Sequence, residues 1–129
     1  MPDPAKLLKA SKSATTLLVL FIPSRDRNQK ATFDQQDWVD AALQTLGGLF
    51  GGATAYPQGK GVWRDDARAG NLVYDEPVVV QCYTSQKLIE KQAKKLREFL
   101  VRMGTETHQG AVGLVIDDQY LEISLPLGK

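Results

Sequence analysis

Seven side chains that can donate to an anion fall in three polar segments of this sequence: Arg25, Arg27 and Lys30, then Lys60, Arg64 and Arg68, then His108. Guanidinium and ammonium groups bind phosphate and carboxylate oxygens. Between them, Gly59-Lys60-Gly61 lets backbone amides approach a ligand closely, though it lacks the spacing of a P-loop. Arg25, Arg27, Lys60, Trp63, Arg64 and Arg68 are therefore the candidate ligand-binding residues. Trp63 serves either as a stacking platform or as a core or oligomer contact. The competing reading is that Asp26, Asp65, Asp66 and Glu106, in the same segments, neutralise these cations in solvated pairs worth at most about 1 kcal/mol.

His108 is the candidate catalytic residue, because it is the one imidazole and titrates near neutrality. As a general base it needs a partner, and Glu106, Asp65 and Asp66 are the carboxylates whose loops can reach it. One histidine cannot build a multi-histidine metal site, and no carboxylate cluster is evident, so no metal and no cofactor is expected. Ser24, Ser85 and Cys82 sit in no nucleophile signature. Cys82, the lone cysteine, lies in an apolar run and reads as a buried, inert thiol. Asp75-Glu76 reads as an ion-pair partner of Arg64 or Arg68 across a hairpin rather than as an acid-base pair.

The elements that must position these residues follow from hydropathy. Residues 15–22 (TTLLVLFI) form an apolar strand without polar alternation, closed by Pro23. Thr32 and Gln35 have capping-box spacing for a helix from Phe33, with Val39, Ala42, Leu43 and Leu46 on one stripe and the Gly47-Gly48 and Gly51-Gly52 pairs ending it. Trp38, just off that stripe, is placed to cover the sheet edge. Ala53–Tyr56 is a short strand that Val62-Trp63 continues after an interruption. Leu72–Tyr74 leads to the strand Val78–Tyr83, with Pro77 at its start or in a bulge. Thr84 or Ser85 caps a second helix carrying Ile89, Ala93, Leu96, Leu100 and Met103 on one face, with Gly104 as its stop. Val112, Leu114 and Ile116, then Tyr120, Leu121, Ile123 and Leu125, form two strands joined at Asp117-Asp118.

The order is β-α-β-β-α-β with an extra C-terminal strand: an α+β, ferredoxin-like antiparallel sheet with two helices on one face. Residues 1–14 read as a flexible arm and 15–127 as one domain, a fair size for 129 residues. Right-handed crossovers gather the loops 23–31, 57–71 and 105–110 at one end of the sheet. Both sides of the first strand are apolar, and two helices cover only one face, so a second subunit or the C-terminal strand must cover the other. A homo-oligomer, dimer or trimer, is expected.

The formal net charge of +1 excludes broad attraction to nucleic acid or anionic lipid. Residues 1–12 lack the apolar core of a signal peptide, and residues 15–22 are far shorter than a membrane span of about 20 residues. A cytoplasmic protein without membrane or nucleic-acid partners is expected.

From Phe21 to Tyr83, Trp38 early in the first helix, Gly51-Gly52-x-Thr54, Gly61-x-Trp63-Arg64 and Glu76-Pro77-Val78 carry a match. On these motifs the segment resembles an uncharacterised bacterial family of small ferredoxin-like domains. The layout is also similar to nitrogen-signalling and copper-tolerance trimers, which implies ligand or partner contact through the loop between the second and third strands. The basic C-terminal residues with which the nitrogen regulators hold nucleotide have no counterpart here.

The preferred expectation is a non-enzymatic, oligomeric binding or regulatory module that presents its basic rim to a small anion or a partner protein. The enzymatic alternative is a dimeric α+β barrel acting on a small organic substrate, with His108, Tyr56 or Tyr83 handling protons in a pocket enclosed by the sheet face rather than by the rim. A third reading is a nucleic-acid-binding or toxin-antitoxin component.

Overall fold

The computed structural model describes residues 2–125. A single helical turn, α1 (Pro4–Leu7), capped by Asp3, precedes the sheet. The elements that follow are β1 (Thr16–Ile22), α2 (Gln35–Phe50), β2 (Thr54–Ala55), β3 (Gly61–Asp65), β4 (Asn71–Asp75), β5 (Val78–Thr84), α3 (Gln86–Glu106), β6 (Ala111–Ile116) and β7 (Gln119–Ser124). Five strands make an antiparallel sheet in the order β2-β5-β1-β6-β7. That is the ferredoxin-like arrangement, with β6 beside β1 and β7 as the extra strand. Residues 126 and 127 of the expected domain lie outside the described residues.

β1 is the middle strand of the five, pairing with β5 from Thr16 to Ile22 and with β6 from Leu18 to Leu20, so that two strands lie on each side of it. Its alternation decides which side is core. Leu18, Leu20 and Ile22 are fully buried against α2 and α3, together with Val80, Leu46, Leu100 and Met103. Leu17, Val19 and Phe21 point to the opposite, open face and are only partly buried. Strand β5 repeats the pattern, Val78, Val80 and Cys82 facing the core and Tyr83 exposed.

Several local expectations are corrected. Thr32 does not cap α2; its hydroxyl donates to Asp26 at 3.2 Å, while Asp34 is the N-cap and accepts from the Gln36 amide. Gln35 is thereby released to donate to the carbonyls of Ile22 and Glu76, stitching the ends of β1 and β4 together. Gly47 and Gly48 lie within α2, which ends at Gly51, where the left-handed φ of 98° favours glycine. Gly104 does not stop α3. It is buried inside the helix because a Cβ there would lie 2.1 Å from Leu125 and 2.7 Å from Val112, so glycine is needed for close helix-sheet packing. Ser85, one of the two expected caps, is the residue used.

The larger correction concerns Val62-Trp63. They do not continue β2; β3 pairs with β4 as a separate two-stranded hairpin that leaves the main sheet. β2 keeps two residues, extended by the Tyr56 amide donating to Val79. Trp38 covers no sheet edge either: it packs on Phe99 of α3, with the Arg102 guanidinium 5.4 Å above its ring.

Candidate active site

The hairpin β3-β4 folds over one end of the sheet's open face and forms one wall of a half-open cavity of about 480 Å³. Its floor is Phe21 of β1, Ala111 and Gly113 of β6, and Tyr120 and Glu122 of β7, all on the open side by strand alternation. Its roof is Trp63, Arg64, Val73 and Tyr74 of the hairpin, and its rim is Arg25, Asp26 and Arg27. Trp63 meets Phe21 edge to face, ring centroids 6.5 Å apart, which pins roof to floor. Tyr120 lies across Gly113, where any Cβ would come within 2.6 Å of the phenol oxygen.

The expected convergence of loops is present at this end. The Arg27 amide donates to the His108 carbonyl at 3.0 Å, and Gln109 Nε2 donates to the Arg25 carbonyl at 2.8 Å. Arg68 reaches the Asn28 side chain at 2.8 Å. Asp26 organises the first loop. Although burial pushes its carboxyl up, the amides of Lys30 and Asn28, the Thr32 hydroxyl and nearby His108 outweigh that and hold it below its ordinary value. Buried and fully engaged, Asp26 acts as a loop clamp.

The six candidate ligand residues do not share one environment. Arg25, Arg27, Trp63 and Arg64 line the cavity, whereas Lys60 is exposed in the linker before β3 and Arg68 is tied to the loop behind it. Most of the arginines are paired: Arg64 with Asp66 at 2.6 Å, Arg68 with Asp65 at 3.5 Å and Arg25 with Glu76 at 3.6 Å. The pairing of Asp75-Glu76 with Arg64 or Arg68 does not form. Asp75 instead accepts from both the amide and the hydroxyl of Ser24, because Gln35 draws the end of β4 against the end of β1. Glu106 pairs with Arg102 rather than with a rim cation.

His108 stands apart. It is exposed, has a left-handed φ of 55°, and contributes its carbonyl rather than its imidazole to the site. Tyr56 donates no proton toward the cavity; its hydroxyl meets Gln81 at 2.9 Å farther along the open face, where Tyr83 is also exposed. Residues that the sequence did not single out as site candidates are better placed than His108: Gln109, Tyr120 and Glu122 line the cavity. The alternation of Tyr120 and Glu122 on β7, opposite Leu121 and Ile123, was the available signal. Tyr120 donates to Glu122 at 3.1 Å, and burial together with that carboxylate raises its pKa, so it is a held proton rather than a base. Burial also pushes the Cys82 thiol up to about 11, so it is no nucleophile. Among the described residues, no three His, Cys, Asp or Glu side chains converge as metal ligands, and no helix is long and apolar enough to cross a membrane.

No protein-family model and no curated protein matches the chain. Two solved structures share its fold. A phage SAM lyase in complex with S-methyl-5'-thioadenosine superposes with a TM-score of 0.66 at 17% identity, over 88% of this chain and 95% of that one. A phage SAM lyase in the apo state gives 0.66 at 16% identity, over 92% and 96%. At such identity the likeness establishes the α+β ferredoxin-like architecture. The expectation of a non-enzymatic binding module is corrected by this finding, since both matching structures are of a lyase, which favours the enzymatic alternative.

Proposed function

We propose that this protein is an enzyme acting on a small organic substrate bound between the open sheet face and the β3-β4 hairpin, and that the substrate is an S-adenosyl sulfonium. The cavity carries this reading. It has the volume of a small-molecule site, lies on the sheet face, and combines the aromatic and apolar side chains Phe21, Trp63 and Val73 with charged groups of both signs. The S-methyl-5'-thioadenosine in complex with the phage SAM lyase suggests the substrate class. Trp63 offers a flat surface for an adenine, and a sulfonium is attracted to aromatic faces and carboxylates.

Cleaving a sulfonium carbon–sulfur bond sends both bonding electrons to sulfur and releases a neutral thioether. The carbon left behind gains its new bond from the substrate's own carboxylate or loses a neighbouring proton. In the first course the positive charge on sulfur and the negative charge of the attacking carboxylate cancel, and the apolar side chains Phe21, Trp63 and Val73 solvate a sulfonium poorly. That course needs no protein base, consistent with an imidazole outside the cavity and a Tyr120 proton held by Glu122.

We further propose that the active form is a homo-oligomer, with a second copy covering Leu17, Val19 and Val115 where the hairpin does not reach. A cytoplasmic setting suits the free thiol of Cys82. Incubating the purified protein with S-adenosylmethionine and following S-methyl-5'-thioadenosine by liquid chromatography tests the reading. Release above the spontaneous rate, lost in Trp63→Ala, is expected; no release and no binding would overturn it. Light scattering showing a monomer at micromolar concentration would overturn the oligomer.

A further inference from the structure

The charges around the cavity do not cancel pair by pair. Its five wall carboxylates are each already engaged: Asp26 by loop amides, Asp65 by Arg68, Asp66 by Arg64, Asp75 by Ser24 and Glu122 by Tyr120. Of its three guanidiniums, Arg64 is held by Asp66 and Arg25 by Glu76. Arg27 is the exception. It is half-buried in the wall and, among the described residues, enters no ion pair.

Its backbone is fixed from two sides. The Arg27 amide donates to His108, and its carbonyl accepts from Arg68 Nη1 at 3.4 Å. An arginine anchored by its main chain, with its planar fork unmatched, is preorganised to receive a two-oxygen anion. Carboxylates outnumber guanidiniums in the wall five to three, which opposes a dianionic phosphate and suits a ligand that carries a cationic centre along with one carboxylate.

We infer that Arg27 anchors the carboxylate of an amino-acid substrate moiety, with the cationic part of the substrate held among the wall carboxylates. This rests on the enzymatic reading above and adds the substrate's orientation: the carboxylate at the 23–31 loop, the flat base against the hairpin. Arg27 is thus a specificity-determining residue that separates a substrate bearing the amino-acid arm from a product that has lost it.

Calorimetric titration of wild type, Arg27→Ala and Arg27→Lys with S-adenosylmethionine and with S-methyl-5'-thioadenosine tests this. Arg27→Ala is expected to weaken S-adenosylmethionine roughly tenfold to a hundredfold, the range of a hydrogen-bonded charge contact, and S-methyl-5'-thioadenosine less than about threefold, with Lys recovering part of the loss. Equal loss for both compounds, or loss for neither, overturns the inference. Should wild type bind neither compound, the adenosyl sulfonium reading falls while the Arg27 inference is decided by L-methionine: a rise in melting temperature in wild type that Arg27→Ala abolishes supports it, and no rise overturns it.

Discussion

Strand β1 presents two apolar faces that differ in what covers them. Leu18, Leu20 and Ile22 are sealed by the two helices of the same chain, whereas Leu17, Val19 and Phe21 meet only the hairpin at one end. The sealed face is a core, packed for stability; the other is a floor, left open enough to hold something. One strand can serve both ends because side chains alternate across the sheet. A chain built this way can vary its hairpin without disturbing its core, so loss of stability and loss of ligand should separate between the faces.

The largest separation is expected between neighbours on β1. Leu20→Ala should cost roughly 2–5 kcal/mol in denaturant unfolding, since it empties a fully buried site, while Val19→Ala should cost clearly less. Equal costs would mean that the open face is sealed as tightly as the core. Next, Gly104→Ala should cost roughly 1–3 kcal/mol by overpacking against Leu125 and Val112, read as a lower denaturant midpoint at unchanged slope.

At the rim, Asp26→Ala should cost roughly 1–3 kcal/mol by orphaning the Asn28 and Lys30 amides. Because the folded carboxyl lies below its ordinary 3.8, its contribution is complete above that pH and is lost as pH falls through the folded value. Wild type and Asp26→Ala should therefore converge in stability under acid and diverge toward neutrality. The smallest effect on stability belongs to Trp63→Ala. With Trp63 42% exposed, melting should fall by only about 1 kcal/mol equivalent, yet nucleoside binding should be abolished. Retained binding would move the site away from the hairpin.

Much of the scaffold was legible because its signals are local. Val78 after Pro77, Ser85 three residues before the Leu88 amide it caps, and the apolar spacing of Leu96, Leu100 and Met103 each lie within one turn or one strand. The candidate site was legible only in part. Arg25, Arg27, Trp63 and Arg64 were singled out by residue type and do line one cavity, but His108 was chosen for its chemistry and points elsewhere.

By itself, then, the sequence determined the alternation of the main strands and helices and the greasiness of both sides of β1, because periodicity is written into neighbouring residues. Only the tertiary structure decided that β3 and β4 leave the sheet to roof a cavity, that Gly104 is a packing position, and that among the described residues Arg27 stays unmatched while Arg25, Arg64 and Arg68 find carboxylates. Those outcomes depend on contacts such as Ser24 with Asp75, 51 residues apart, and Gln109 with Arg25, 84 apart. No short-range pattern encodes which of several equivalent partners a chain will bring within reach.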